Sequence, residues 1–355
     1  MRKRHRTGAK STKNSRLPRP SPSMYTTLQP RTSRNQSSSP TQPKPRRQVS
    51  PSPTFSPPIM TSDVRVNPHY AKVKRRADAR VARIMMKDDN WAAKNAKVDL
   101  AFLASAWCFT CDGGTLDLAM DWNHWVFLFD DQFDEGHLMT DLTAAEDEIE
   151  KTVAVMRGTL RVSAKELPVR YMMQTISDGV RKNSTPEFQK HWINMHQLYY
   201  SGLLQQVNDT QAEKLSSYTI QEYIELRVRN IGVYPAIALT QYAEGVTSLP
   251  EHILQHPSLQ ECMRVCAELV VLVNDIASFK KDVALDMDLN IINLTRKGGH
   301  GLTTQQAMDQ TFVEMLHWEI CIGASEPDDT SEDRKELKCE KHGSLSSRRC
   351  RETQR

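Results

Sequence analysis

The stretch WVFLFDDQFDEGHL, Trp125 to Leu138, places four acidic residues directly after an almost unbroken apolar run. A carboxylate buried alone costs so much free energy that it normally pairs with a cation or holds a metal. On a helix, Asp130 and Asp134 share one face, and Asp131 lies on its flank. The stretch predicts either a solvated acidic helix end or, as the apolar run favours, a buried site for a hard cation such as Mg²⁺, Mn²⁺ or Ca²⁺.

A second polar face follows the apolar segment AELVVLV, in the stretch NDIASFKKD. Asn274, Ser278 and Asp282 are four residues apart, so on a helix they lie on one side. An amide, a hydroxyl and a single carboxylate suit Mg²⁺, which commonly completes its shell with water and substrate phosphates. Alone, this pattern is also that of an ordinary polar helix face. The two motifs together favour a diphosphate held through magnesium.

Cationic residues that could contact such a diphosphate lie in ELRVRNIG, at Arg227 and Arg229, and at Lys280 and Lys281. Arginine suits bidentate contact with phosphate. Either arginine alone could equally lie on a solvated helix face.

The rest of the chain predicts an all-α fold, because no apolar alternation of period two stands out. Residues 1–62 form a Pro/Ser/Arg-rich arm that we expect to be disordered, 63–320 a helical domain, and 321–355 an unstructured charged tail. Within the domain, Thr140 or Asp141 is a plausible helix cap, Pro186 a first helical residue, and Pro235 a break in a long helix.

Composition separates a basic arm from an acidic body. Residues 1–60 hold 13 Lys or Arg and no acid, whereas the remainder holds 34 Lys or Arg against 43 Asp or Glu. The arm lacks interleaved aromatic residues, so nucleic-acid binding is not favoured. Cys108 and Cys111 form a lone C-x-x-C that favours two buried apolar residues in a helix over a zinc site. We find neither a run of 18 apolar residues nor a secretory signal, and we expect a cytoplasmic protein.

These motifs resemble those of fungal class I terpene synthases, most closely the sesquiterpene cyclases. FLFDDQFDEG is similar to their D-D-x-x-D motif, and NDIASFKKD to their N-D-x-x-S-x-x-x-E motif. NPHY at 67–70, YIELRVRNIG and LNIINLTRKGGHGLTTQQAMD resemble further segments of the family. The resemblance spans roughly residues 65–320.

The resemblance implies the helical terpenoid synthase fold, three Mg²⁺ ions (or Mn²⁺) and a prenyl diphosphate substrate, most plausibly farnesyl diphosphate. It implies that one set of side chains holds the metal ions, namely Asp130, Asp131, Asp134, Asn274, Ser278 and Asp282. It implies that a second set contacts the diphosphate, namely Arg227, Arg229 and Lys281. Arg227 aligns with the sensor arginine of the family, and Arg229 is its rival.

Three departures from the family accompany the resemblance. Asp282 stands where the family usually has Glu, and Val228 stands where many members have a second Arg. The resemblance stops near Trp318, and no Arg-Tyr pair follows, which predicts a chain without the C-terminal helices of the family. A catalytically impaired remnant that binds diphosphate weakly is therefore one alternative to an active cyclase. A chain-elongating prenyltransferase is another, but those enzymes carry two aspartate-rich motifs.

A carbocation released from such a substrate needs a dry cavity and can be stabilised by aromatic faces. The sequence offers Phe102, Trp122, Phe127 and Tyr199 for that purpose. Ordinary core packing is the favoured interpretation for each of them, because aromatic residues dominate protein cores. The sequence indicates no general base.

Overall fold

The structure, a computed structural model, describes residues 65–284, 289–298 and 301–323. These residues form helices and connecting turns without any strand, which confirms the all-α prediction. The arm 1–62 lies outside the described residues, as does the tail 321–355 except for its first three residues, which belong to the last helix. The α-helices are α1 (Tyr70–Ile84), α2 (Asp89–Val98), α3 (Leu100–Trp107), α4 (Gly113–Asp134), α5 (Leu142–Arg157), α6 (Pro168–Lys182), α7 (Pro186–Gln211), α8 (Ile220–Asn230), α9 (Val233–Ala243), α10 (Glu251–Leu254), α11 (Pro257–Ala284), α12 (Ile291–Gly298) and α13 (Thr304–Gly323).

Helix starts are fixed by local side-chain caps, which accept the backbone N–H groups that have no partner within the helix. The Asp141 side chain caps α5 by accepting from Ala144 N, as predicted. Pro186 is the first residue of α7, also as predicted, and Thr185 caps this helix by accepting from Phe188 N. Thr219 and Glu222 form a reciprocal capping box at the start of α8.

The break between α8 and α9 lies at Gly232, so the prediction that Pro235 splits this segment is wrong. Gly232 adopts the left-handed conformation with φ 78°, which glycine tolerates best. Pro235 lies in the first turn of α9. Its missing N–H costs nothing there, because the first N–H groups of a helix lack partners within the helix.

Cys108 and Cys111 are buried, as predicted, but they lie in the connection between α3 and α4 rather than in a helix. The Asn67 amide donates to Cys108 O at 2.7 Å and to Cys111 O at 2.8 Å. Burial raises the pKa of Cys108 to about 12 and that of Cys111 to about 11. Both thiols are therefore protonated at neutral pH, and Asn67 of the NPHY stretch fixes the loop that carries them.

The apolar side chains form two clusters, and the polar motifs lie where these clusters meet. The larger cluster is formed mainly by α1, α9 and the five helices from α3 through α7. The smaller cluster is formed by α8, α11, α12 and α13. In the larger cluster, the indole N–H of Trp122 donates to His196 Nε2 at 3.0 Å. Trp122 is thus a core residue, which fits the interpretation favoured from sequence.

Gly202 lets α7 and α8 approach closely. A Cβ atom at Gly202 would lie 2.7 Å from Asn230 N and 2.9 Å from Arg229 C. Distances this short exclude a side chain unless one helix moves. The glycine therefore sets the distance between α7 and the part of α8 that carries Arg227, Arg229 and Asn230.

Candidate active site

The first acidic motif occupies the last turn of α4. Asp130 is half-buried, and its Oδ1 accepts a hydrogen bond from the Tyr199 hydroxyl of α7 at 2.8 Å. Burial, and next the neighbouring Asp134 carboxylate, raise the pKa of Asp130 well above its usual range. The Tyr199 hydroxyl and the charge of Arg227 act in the opposite direction. Asp130 is thus a carboxyl group that a divalent cation would help to ionise.

A chain of amide side chains connects Asp134 to α8. Gln206 Nε2 of α7 donates to Asp134 Oδ1 at 2.7 Å, and Gln206 Oε1 accepts from Asn230 Nδ2. Asn230 Oδ1 in turn accepts from Arg227 Nη1 at 3.1 Å. The side-chain orientations of α4, α7 and α8 are therefore coupled at this point.

Arg227 connects the two polar motifs. Its Nη2 donates to Asn274 Oδ1 of α11 at 3.3 Å. The hydrogen-bonded path from Asp134 through Gln206, Asn230 and Arg227 thus ends on the first residue of the second motif. The fold therefore brings the DDxxD-like and NDxxS-like stretches to one place, although 140 positions separate Asp134 from Asn274.

The environment of Arg227 is strongly negative. Burial lowers the pKa of its guanidinium, but Tyr223 and three surrounding carboxylates outweigh burial and raise the net pKa above the usual range. Those carboxylates belong to Asp275, Asp134 and Asp130. The Nε of Arg227 is buried and has no hydrogen-bond partner within the described part of the chain. A buried donor without a partner is costly, so this N–H is available to an acceptor that the described residues do not supply.

In the second motif, the Ser278 hydroxyl donates to Asp282 Oδ2 at 2.7 Å. Asn274, Ser278 and Asp282 all lie on α11, as predicted. The next residue of the same stretch, Asp275, accepts from the Tyr223 hydroxyl of α8 at 2.5 Å. The pairing of Tyr223 with Asp275 holds the arginine-bearing helix α8 against α11.

The other two cationic candidates occupy different positions around the site. Arg229 donates through Nη2 to Gln205 Oε1 and through Nε to Glu225 O at 3.1 Å, on the side of α8 that faces α7. Lys281 Nζ lies 3.4 Å from Glu135 Oε1, which joins the end of α4 to α11. Of the two arginines, only Arg227 contacts a residue of either predicted metal motif among the hydrogen bonds of the described region.

The donor set fits hard cations that arrive together with an anion. Among the described residues, no three His, Cys, Asp or Glu side chains converge into a preformed metal centre. The oxygen atoms belong to carboxylates, an amide and a hydroxyl, which suit Mg²⁺ or Mn²⁺. Since Arg227 adds a cation between the two motifs, the arrangement suits a polyanion bound jointly by metal and guanidinium.

Sequence reasoning missed the side chains that hold the motifs in place. Gln206 and Asn230 link Asp134 to Arg227. Asp275 pairs with Tyr223, and Asn290, which precedes α12, donates to Asp282. Tyr199 had been identified only as a possible cavity aromatic. Single amides carry no spacing signal, so they could be found only once the helices were packed.

Comparisons with known proteins give a family match and several relatives. The family described as "Terpene synthase family 2, C-terminal metal binding" matches residues 121–317. A (+)-eremophilene synthase from Gibberella fujikuroi is 42% identical over 253 residues, which are 71% of this chain and 70% of that protein. The chain belongs to the terpene synthase family. A (1R,4R,5S)-(-)-guaia-6,10(14)-diene synthase from Fusarium proliferatum is 39% identical over 266 residues, 72% of this chain and 66% of that relative.

The crystal structure of an α-eudesmol synthase superimposes with a TM-score of 0.64 at 18% identity, covering 74% of this chain and 84% of that one. This terpene synthase chain spans just under two thirds of the length of the guaiadiene synthase that it matches. No helix within the described residues is both long and apolar enough to cross a membrane.

Proposed function

We propose that the chain ionises and cyclises a linear prenyl diphosphate, with farnesyl diphosphate as the substrate and a sesquiterpene and diphosphate as products. The observation that carries this proposal is the position of Arg227 between the two polar motifs, with a buried Nε for which the described residues provide no hydrogen-bond acceptor. A diphosphate would provide that acceptor, and the divalent cations bound with it would offset the negative charge of the surrounding carboxylates. The sesquiterpene synthases among the relatives support the choice of substrate length.

In this proposal the metal ligands come from both motifs. Asp130, with Asp131 and Asp134 in support, would hold ions on the α4 side, and Asn274, Ser278 and Asp282 would hold an ion on the α11 side. When bound, Mg²⁺ neutralises charge on the leaving diphosphate and so lowers the barrier to breaking the allylic C–O bond. Three such ions, as the family resemblance implies, remain part of the proposal, with Mn²⁺ as a possible substitute.

The side chains of the protein have separate tasks. Arg227 binds and orients the diphosphate, with Arg229 and Lys281 as further candidates around it. Tyr199 donates to Asp130 and fixes the orientation of that carboxylate. In this proposal, apolar residues next to the motifs would exclude water, which would otherwise quench a carbocation. Of the aromatic candidates, Tyr199 contacts the acidic motif directly, and Phe127 is half-buried one turn before Asp131.

The test incubates the purified chain with geranyl, farnesyl and geranylgeranyl diphosphates and Mg²⁺, followed by gas chromatography of the volatile products. We expect a cyclic hydrocarbon from farnesyl diphosphate and its loss in Asp130→Ala. Asp147→Ala is the matched control, because Asp147 is an exposed aspartate on α5 that pairs only with Lys151 in the described structure. A product that persists unchanged in Asp130→Ala would refute the proposal.

A second candidate is a terpene synthase that binds and releases diphosphate without cyclisation. The observation in its favour is the exposure of apolar side chains on α11 beside Asn274, where Val270 is 40% and Val273 43% exposed. A carbocation next to such an open wall would meet water. Release of diphosphate with only acyclic alcohol as product would favour this candidate, whereas elongated prenyl diphosphates would indicate a prenyltransferase.

A further inference from the structure

The start of α12 is attached directly to the second metal motif through one buried side chain, Asn290. Asn290 is 0% exposed and precedes the first residue of α12. Its Oδ1 accepts from Ile292 N at 2.9 Å, in the manner of a helix N-cap. Its Nδ2 donates to Asp275 O at 2.9 Å and to Asp282 Oδ2 at 2.9 Å. Both amide hydrogens are therefore used on α11.

These bonds determine which oxygen atoms of the motif remain available. Asp282 Oδ2 accepts from Asn290 Nδ2 and also from the Ser278 hydroxyl at 2.7 Å. Two donors occupy the two lone-pair sites of that oxygen, so Oδ1 is left to bind a cation. Since the Ser278 hydrogen points to Asp282, the Ser278 oxygen keeps its lone pairs for the same purpose.

We propose that Asn290 is a positioning residue that holds Asp282, and through Asp282 the Ser278 hydroxyl, in the orientation that binds the metal ion of the second motif. This inference rests on the proposed function. Partners of this kind orient metal-binding side chains, and their loss typically weakens metal affinity or activity by about 10- to 100-fold. The support matters here because Asp282 is short and reaches Asn290 and Ser278 at the same oxygen.

A purely structural role for Asn290 as the cap of α12 is the alternative, and Asn290→Ser separates the two roles. Serine caps helices about as well as asparagine but is too short to reach Asp282 from the same backbone position. The start of α12 keeps a second attachment that does not involve the Asn290 side chain, because Ile291 N donates to Asp275 Oδ2 at 2.8 Å. We therefore expect Asn290→Ser to fold.

The experiment measures the rise in Tm caused by Mg²⁺ plus inorganic diphosphate, together with the Mg²⁺ concentration that gives half-maximal turnover of farnesyl diphosphate. We expect Asn290→Ser to need at least about tenfold more Mg²⁺ in both measurements. The control is Leu294→Ala, which truncates a buried side chain in the same helix that has no polar group to donate to Asp282. It should lower Tm without changing the Mg²⁺ requirement.

Three outcomes overturn the inference, and they distinguish a wrong role for Asn290 from a wrong proposed function. If the native chain shows Mg²⁺-dependent stabilisation and turnover, and Asn290→Ser keeps the native Mg²⁺ requirement, only the role of Asn290 is wrong. The same holds if Leu294→Ala raises the Mg²⁺ requirement as much as Asn290→Ser does, because general destabilisation would then explain both. If the native chain shows neither stabilisation nor turnover, the proposed function fails and the inference falls with it.

Discussion

Replacing Gly202 by alanine tests whether the contact between α7 and α8 sets the geometry of the site. The new Cβ would lie 2.7 Å from Asn230 N and 2.9 Å from Arg229 C. Ordinary contacts between such atoms are about 3.5–4.0 Å, so α8 must shift by roughly 1 Å. Overpacking of this kind costs about 1–3 kcal/mol, and at roughly 2–4 °C per kcal/mol for a domain of this size Tm should fall by about 2–12 °C.

The same shift moves Arg227 relative to the acidic motif of α4. A misplacement of about 1 Å at a catalytic site can cost about 100-fold in rate, so kcat/KM for farnesyl diphosphate should fall by up to that factor. Helix propensity alone predicts the opposite sign, because alanine in a helix is more stable than glycine by about 1 kcal/mol. The assays are thermal unfolding by circular dichroism and steady-state release of diphosphate.

The matched control is Gly298→Ala, because a Cβ at Gly298 would meet no atom of the described residues within 4 Å. We expect this control to keep the native Tm or to raise it slightly. An unchanged or higher Tm in Gly202→Ala, with native kcat/KM, would show that α8 does not approach α7 as closely as described.

Three further predictions concern charge and protonation. Arg227→Lys should lower kcat/KM by about 10- to 100-fold, because a charged hydrogen bond contributes about 1.5–3 kcal/mol. The control Arg229→Lys should keep kcat/KM within a few-fold of native. Equal losses in the two variants would contradict the assignment of diphosphate binding to Arg227. Burial lowers the pKa of His196 to about 3, so only the unfolded state gains its proton as pH falls from about 6.5 towards 3, and stability is lost over that range. The free energy of unfolding, measured in urea, should therefore fall by about 2 kcal/mol more between pH 7 and pH 5 in the native chain than in His196→Gln. An equal fall in both proteins would refute the lowered pKa of His196. Cys108 and Cys111 have pKa values of about 12 and 11, so they should not react with iodoacetamide at pH 8 until the chain is unfolded. Peptide mass spectrometry measures the labelling of each cysteine. Rapid labelling of the folded chain would contradict their burial.

The sequence predicted the features that depend on periodicity or on caps. The apolar run before Asp130 predicted a buried helix end, and Asp141 and Pro186 predicted helix starts that the structure confirms. The break assigned to Pro235 was wrong, because proline is tolerated in the first turn of a helix. The break lies at Gly232, whose left-handed φ cannot be deduced from composition. Local chemistry therefore predicts where helices begin better than where a long apolar segment bends.

The site could be predicted only in part, because its specificity comes from contacts between helices. Spacing placed Asp130 and Asp134 on one face, but it could not distinguish Arg227 from Arg229, which are two positions apart on the same helix. Packing distinguishes them, since Gly202 brings α8 close enough to α7 for Arg229 to meet Gln205. The roles of the amide side chains of Gln206, Asn230 and Asn290 could not be predicted from the sequence for the same reason, since they depend on contacts between helices.

The central claim is that the α4 and α11 motifs bind one shared cluster of cation and diphosphate. A double-mutant cycle with Asp130→Asn and Asn274→Ala tests it, with the rise in Tm caused by Mg²⁺ plus inorganic diphosphate as the measured quantity. If the motifs share the ligand, each single variant should remove most of the rise, and the double variant should remove little more. Losses that simply add, with each motif keeping its own part of the stabilisation, would contradict a shared site.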